Sequence, residues 1–159
     1  MSAHDLVRTL ADRGWTLAVA ESLTGGLVTA AVVTVPGASA VLRGGVVAYA
    51  TQLKADVLGV DRGLLERCGP VDEEVARQMA DGVRRVLGAD VGLATTGVAG
   101  PGPSDGVPAG TVKIACAIPG APVVARGLHL PGDRDQVRLA CVDAVLALAA
   151  ASLADLGAS

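Results

Sequence analysis

Among 159 residues this chain has no phenylalanine, one tryptophan (Trp15) and one tyrosine (Tyr49). Yet 51% of it is hydrophobic. Val, Leu and Ala must therefore fill the interior. Side chains of that size favour helices packed tightly on a sheet over clusters of rings. The length fits one domain, residues 1–159, and suffices to bury most of the unfolded surface without disulfides or metals. With charged residues at only 18%, disorder is excluded.

A mean hydropathy of +0.51 raises the question of a membrane. A spanning helix needs roughly 20 consecutive apolar residues. The longest candidate, residues 140–156, is interrupted by Asp143 and Asp155. Asp5, Arg8, Asp12 and Arg13 punctuate the N-terminal stretch, which does not read as a signal peptide. The expectation is a soluble, cytoplasmic protein with no membrane contact. The net charge of −3 offers no basic stripe, and there are no aromatic platforms, so direct nucleic-acid binding is not expected. Cys68, Cys116 and Cys141 form no C-x-x-C and read as buried free thiols. His4 and His129 lie in no ligand-spaced pattern, so no metal site is expected. Ala- and Val-rich helix surfaces suggest a homo-oligomer.

Along the chain, apolar spacing and Gly/Pro punctuation predict a helix over 3–13, a strand over 16–20 and a turn over 21–26. A helix over 27–35 stops at Pro36. A helical turn over 38–42 and a strand over 46–49 follow, the strand starting after Gly44-Gly45. Short helices are predicted over 51–58 and 61–67, and Gly69-Pro70 breaks the chain. The clearest amphipathic helix spans 71–87, with acids first and Arg84 and Arg85 last, as the helix dipole prefers. A strand over 90–96 leads into a Gly/Pro loop over 97–109. Strands over 111–118 and 123–130 form a hairpin, and a helix over 133–153 closes the chain. This alternation predicts an α/β fold: a three-layer α/β/α sandwich with a mixed β-sheet.

Three segments stand out chemically. In 20–26 a strand runs straight into Ser22, Thr24, Gly25 and Gly26, then a helix. Ligands of open α/β sheets sit at such strand ends, where free amides can hold an anion or an oxyanion. Ser22 is a candidate nucleophile; equally, Ser22 or Thr24 is a helix cap. A serine needs a base, and Lys54, five residues past the strand that ends at Tyr49, is one candidate. It must lose about three pKa units, or about 4 kcal/mol, to act near pH 7, which burial can supply. Tyr49 would relay a proton or orient the lysine; the alternative is a surface lysine and a strand-end tyrosine. The second segment, 95–110, holds Thr96, Gly97 and a Gly/Pro run suited to a rigid pocket wall, or else a plain connection. In the third, Asp133 and Gln136 form a capping-box pattern, while Arg134 and Arg138 share a face at an unfavourable helix end. An anion would offset that, whether a ligand or a nearby carboxylate.

AESLTGGLV (20–28), VPGAS (35–39), GGVVAYATQLKADVLGV (44–60), TTGVAGPGPSDGVPAGTVKIA (95–115) and LPGDRDQVR (130–138) occur in the order of a known family. From about residue 5 to 150 the chain resembles the C-terminal domain of the competence-damage-inducible protein CinA, whose stand-alone members resemble nicotinamide-nucleotide amidases. The resemblance implies hydrolysis of nicotinamide mononucleotide to nicotinate mononucleotide and ammonia, with no metal or organic cofactor. By position it implies Ser22 as nucleophile, with Lys54 and Tyr49 as activating partners. Thr24, Gly25, Gly26, Thr96, Gly97, Arg134 and Arg138 would contact substrate. Thr51, Pro103 and the Gly106-Val107-Pro108 run depart from the usual family pattern. Without the N-terminal pyrophosphatase-like domain of larger CinA proteins, nucleotide pyrophosphatase activity is not expected. The alternative is a non-catalytic partner or nucleotide-sensing domain connected with competence or DNA damage.

Overall fold

The computed structural model describes residues 2–157. Met1, Ala158 and Ser159, the ends of the expected 1–159 domain, lie outside them. The chain runs through α1 (Ala3–Arg13), β1 (Leu17–Glu21), α2 (Leu27–Val33), a 3-10 turn (Ala38–Ala40), β2 (Leu42–Val47), α3 (Thr51–Asp56) and α4 (Arg62–Cys68). It continues through α5 (Glu73–Leu87), β3 (Val91–Gly97), β4 (Thr111–Ala117), β5 (Val124–His129) and α6 (Arg134–Leu156). The five strands lie in the order β2-β1-β3-β4-β5. β1 is parallel to β2 and β3, while β4 is antiparallel to β3 and to β5. Helices cover both faces, giving the mixed α/β/α sandwich that the alternation predicts.

The two faces of the sheet are built from different side chains. Leu17, Val19, Leu93, Ile114 and Cys116 point into one core with α1, α2 and α6. The residues between them, Ala18, Ala20, Ala94, Ala115 and Ala117, point into the other with α5 and the α3–α4 segment. Strand periodicity of two assigns large residues to one face and alanine to the other. Over the alanine face α5 comes so close that a Cβ on Gly92 would strike the carbonyl of Ala80. α5 buries Val75, Met79 and Val83 there. Such side chains contribute about 1.5–3 kcal/mol each when fully buried.

Several boundaries differ from the sequence expectation. β2 starts at Leu42, not at 46, and contains Gly44 and Gly45. These glycines are not a turn: Gly45 pairs with Val19, and a Cβ on it would collide with the side chain of Thr29 on α2. Asp72 lies outside α5 as its N-cap, accepting from the amides of Glu74 and Val75. α2 ends at Val33, where the Val35 amide turns back to the Val32 carbonyl. α6 has the length and composition of a membrane-crossing helix. In the fold it buries Val137, Cys141, Val145 and Leu153 against the sheet and neighbouring helices. Its start is the expected capping box between Asp133 and Gln136.

Candidate active site

The carboxyl ends of β1, β2 and β3 lie at one edge of the sheet. From β1 the chain goes first to β2 on one side and later to β3 on the other. This is the switch point at which open α/β sheets form ligand crevices. Ser22 follows β1 directly. Its amide donates to the Thr95 carbonyl (3.1 Å), and its carbonyl accepts from Gly25 (3.1 Å).

Lys54, in the last turn of α3, is only 1% exposed. Its Nζ lies 3.1 Å from Ser22 Oγ, 2.7 Å from the Ala48 carbonyl and 3.5 Å from the Tyr49 carbonyl. Burial pushes its pKa down from 10.5 to about 8. A neutral amine has two N–H donors and one lone pair. The two carbonyls accept only, so they take the donors. Ser22 alone among the three partners has a proton to give. As an ammonium Lys54 donates to all three oxygens; once neutral, with both carbonyls still accepting, its lone pair is left facing the Ser22 hydroxyl.

Beside the serine stands a residue that sequence reasoning passed over. Glu21 is fully buried. One carboxylate oxygen accepts from Thr24 Oγ1 (2.6 Å) and the Val28 amide (2.9 Å); the other accepts from the amide (3.0 Å) and hydroxyl (2.7 Å) of Thr29. The free amides at the start of α2, expected to face an anionic ligand, are thus occupied by a carboxylate of the chain itself. A carboxylate at a strand end, seven residues before the helix amide it caps, is a long-range cap that local N-cap patterns do not reveal. Thr24 is buried behind the turn, between Glu21 and Thr95. Gly25 and Gly26 carry the turn with φ of 57° and 104°.

A cavity of about 520 Å³ opens at Leu23, the residue after the serine; Ser22 and Lys54 themselves are not among its lining residues. Leu23, Tyr49, Pro70, Gly97, Asp105 and Arg134 are among the residues that line it. The loop after β3 forms one wall. Its tip is a two-residue hairpin turn at Asp105-Gly106, closed by paired bonds between Ser104 and Val107. Arg134 brings a cation to the wall, donating to the Gly100 carbonyl (2.5 Å) with the Tyr49 hydroxyl 3.5 Å away. Arg138 does something else. Its Nε donates to the Leu23 carbonyl (2.9 Å) and its Nη2 reaches the Thr24 carbonyl (3.4 Å). It also stands 3.6 Å from Asp135. Carbonyls of the serine turn and a carboxylate lie against this guanidinium, and the residues that line the cavity include Arg134 but not Arg138.

A family model for the CinA C-terminal domain matches residues 1–153. The chain belongs to this family.

A "CinA-like protein" of Frankia casuarinae is 52% identical to this CinA domain over 147 residues, covering 92% of this chain and 34% of that protein. The chain spans about a third of the length of the curated relatives it matches. A crystal structure of a CinA superfamily protein from Klebsiella pneumoniae superposes with a TM-score of 0.90 at 34% identity, covering 98% of this chain and 99% of that one. That of the competence/damage inducible protein CihA from Agrobacterium tumefaciens gives 0.89 at 34% identity, covering 94% and 92%.

Within this CinA domain, Ser22 and Lys54 meet in space across 32 residues of chain. The Tyr49 carbonyl lies within reach of the Lys54 amine, while the residue is 63% exposed at the cavity, with its hydroxyl near Arg134. Gly97 lines the cavity; Thr96 is buried behind it, its hydroxyl donating to the carbonyl of Pro70, another lining residue (2.7 Å). Cys116 and Cys141 are buried as expected; Cys68 is exposed and lines the cavity, because α4 ends at the cavity mouth. Among the described residues no three His, Cys, Asp or Glu side chains converge as metal ligands would.

Proposed function

We propose that this domain is a nicotinamide-nucleotide amidase, hydrolysing the carboxamide of nicotinamide mononucleotide to nicotinate mononucleotide and ammonia. One observation carries the reading: a buried lysine, its pKa lowered to about 8, in contact with the hydroxyl of a serine at the switch point. The choice of substrate rests on the family resemblance. A cavity of about 520 Å³ with one arginine in its wall suits a small molecule bearing one phosphate.

Neutral Lys54 accepts the Ser22 proton as Oγ attacks the carboxamide carbon. The carbonyl electron pair moves onto oxygen, giving a tetrahedral oxyanion. Collapse re-forms the carbonyl and breaks the C–N bond, and the Lys54 ammonium returns its proton to the departing nitrogen, which leaves as ammonia. Lys54 then activates a water, which cleaves the acyl-Ser22 ester and frees the carboxylate product. Arg134 holds the phosphate and so fixes the carbonyl over Ser22.

The test is ammonia release from nicotinamide mononucleotide by wild type and Ser22→Ala, with EDTA present, beside nicotinamide and its riboside. The expected result is release by wild type from the mononucleotide, and none by the variant. Tight binding without release would instead support a nucleotide-sensing role.

A further inference from the structure

Leu23 and Thr24, the two residues after Ser22, are buried, at 6% and 0% exposure. Five other amides here have acceptors: Ser22 in Thr95, Gly25 in Ser22, Leu27 in Thr24, and Val28 and Thr29 in Glu21; among the described residues the amide of Gly26, which is only half-buried, has none. Among the described residues the Leu23 and Thr24 amides have none. Buried main-chain donors are nearly always paired, so two adjacent ones beside a nucleophile single themselves out. Acyl-transfer sites take an oxyanion donor from the amide that follows the nucleophile.

We propose that the Leu23 and Thr24 amides are the oxyanion donors of this site, and that Glu21 is the positioning residue that holds them. Glu21 fixes the turn from both ends. It grips Thr24 through the hydroxyl and the first turn of α2 through two amides and the Thr29 hydroxyl. By satisfying the α2 amides it also prevents the turn from winding back to cap its own helix. Arg138 holds the opposite side through the Leu23 and Thr24 carbonyls, which keeps those peptide planes from flipping. The carboxylate acts through geometry and not on the base: among the described residues its hydrogen-bond partners are Thr24, Val28 and Thr29, and no ion pair joins it to Lys54.

This assignment rests on the amidase reading. Two variants test it. In Glu21→Gln, an amide NH2 must face two of the four donors that the carboxylate accepts. Thr29→Val keeps volume and removes one hydroxyl donor. The readouts are kcat per folded molecule, KM, and the midpoint of the pH–rate profile. Glu21→Gln is expected to lower kcat by about 10- to 100-fold with KM within about twofold. Thr29→Val is expected to lower kcat by a few-fold, with the pH midpoint unmoved in both. The same variants are compared in the rate at which a fluorophosphonate modifies Ser22, read by intact mass. That reaction needs the nucleophile and its donors but no particular substrate. Slower modification in the variants supports the assignment even if the mononucleotide is not hydrolysed. Unchanged kcat and modification rate in folded Thr29→Val and Glu21→Gln would overturn it. So would a shifted pH midpoint, which would make Glu21 a partner of the lysine. If Glu21→Gln does not fold, Thr29→Val alone decides.

Discussion

Lys54 concentrates the opposition between stability and chemistry in a single side chain. Its pKa falls from 10.5 to about 8 because burial disfavours the charged form. Below pH 8 the folded protein therefore holds a buried ammonium, at a cost of about 3 kcal/mol relative to the unfolded chain. Between about pH 8 and 10.5 the unfolded chain keeps a proton that the folded one has released, so stability from this group rises with pH across that window. Lys54→Met is thus expected to abolish ammonia release while raising the midpoint of denaturant unfolding at pH 6–7, less the lost hydrogen bonds. The gain should shrink as pH approaches 10; unfolding curves across pH 6–10 check it. The candidacy of the serine and the lysine was legible in the sequence, from their places after strands and from the family resemblance, beside the alternatives of a helix cap and a surface lysine. Their contact was not, because nothing local links residues 32 apart. Glu21 was illegible for the same reason: its partners at 28 and 29 lie on the far side of the turn.

At the level of elements, the glycines and arginines decide what approaches what. Strand and helix alternation, the hairpin and the capping box of α6 were all readable from period and punctuation. Gly44-Gly45 misled, since a glycine pair looks the same at a turn as under a packed helix. Gly92→Ala tests the close approach of α5. It is expected to cost about 1–3 kcal/mol and lower Tm by several degrees, read by calorimetry, because the Ala80 carbonyl occupies the space. The N-terminus of α6 carries two arginines with separate contacts, one in the cavity wall and one on the serine turn. Arg134→Met is expected to raise KM for the mononucleotide by about 10- to 100-fold. The weaker turnover of the phosphate-free riboside should stay as it was. Arg138→Met is expected to lower kcat for both by a similar factor, because the serine turn loses its clamp. Steady-state kinetics on the two substrates separate these outcomes.

Across the whole molecule, a core without phenylalanine is achieved by giving the sheet one face of large aliphatic residues and one of alanine. The three thiols report on that core. Burial pushes Cys116 up to about 11; burial, with Glu21 nearby, pushes Cys141 up to about 12. A maleimide at pH 7 is expected to label Cys68 alone in the native protein, and all three thiols only after global unfolding. Nicotinamide mononucleotide should slow the labelling of Cys68, which lines the cavity; mass spectrometry gives both results. The fold brings the strand ends, the lysine of α3 and the start of α6 to one edge, and the amidase assignment depends on that convergence. Its central element is a neutral lysine taking the proton of Ser22. The direct measurement is kcat/KM for ammonia release across pH 6–10, in wild type and Lys54→Ala. A rise to a plateau with a midpoint near 8 in wild type, and loss of activity in the variant at every pH, is the predicted result. A flat wild-type profile, or full turnover by Lys54→Ala, would contradict it.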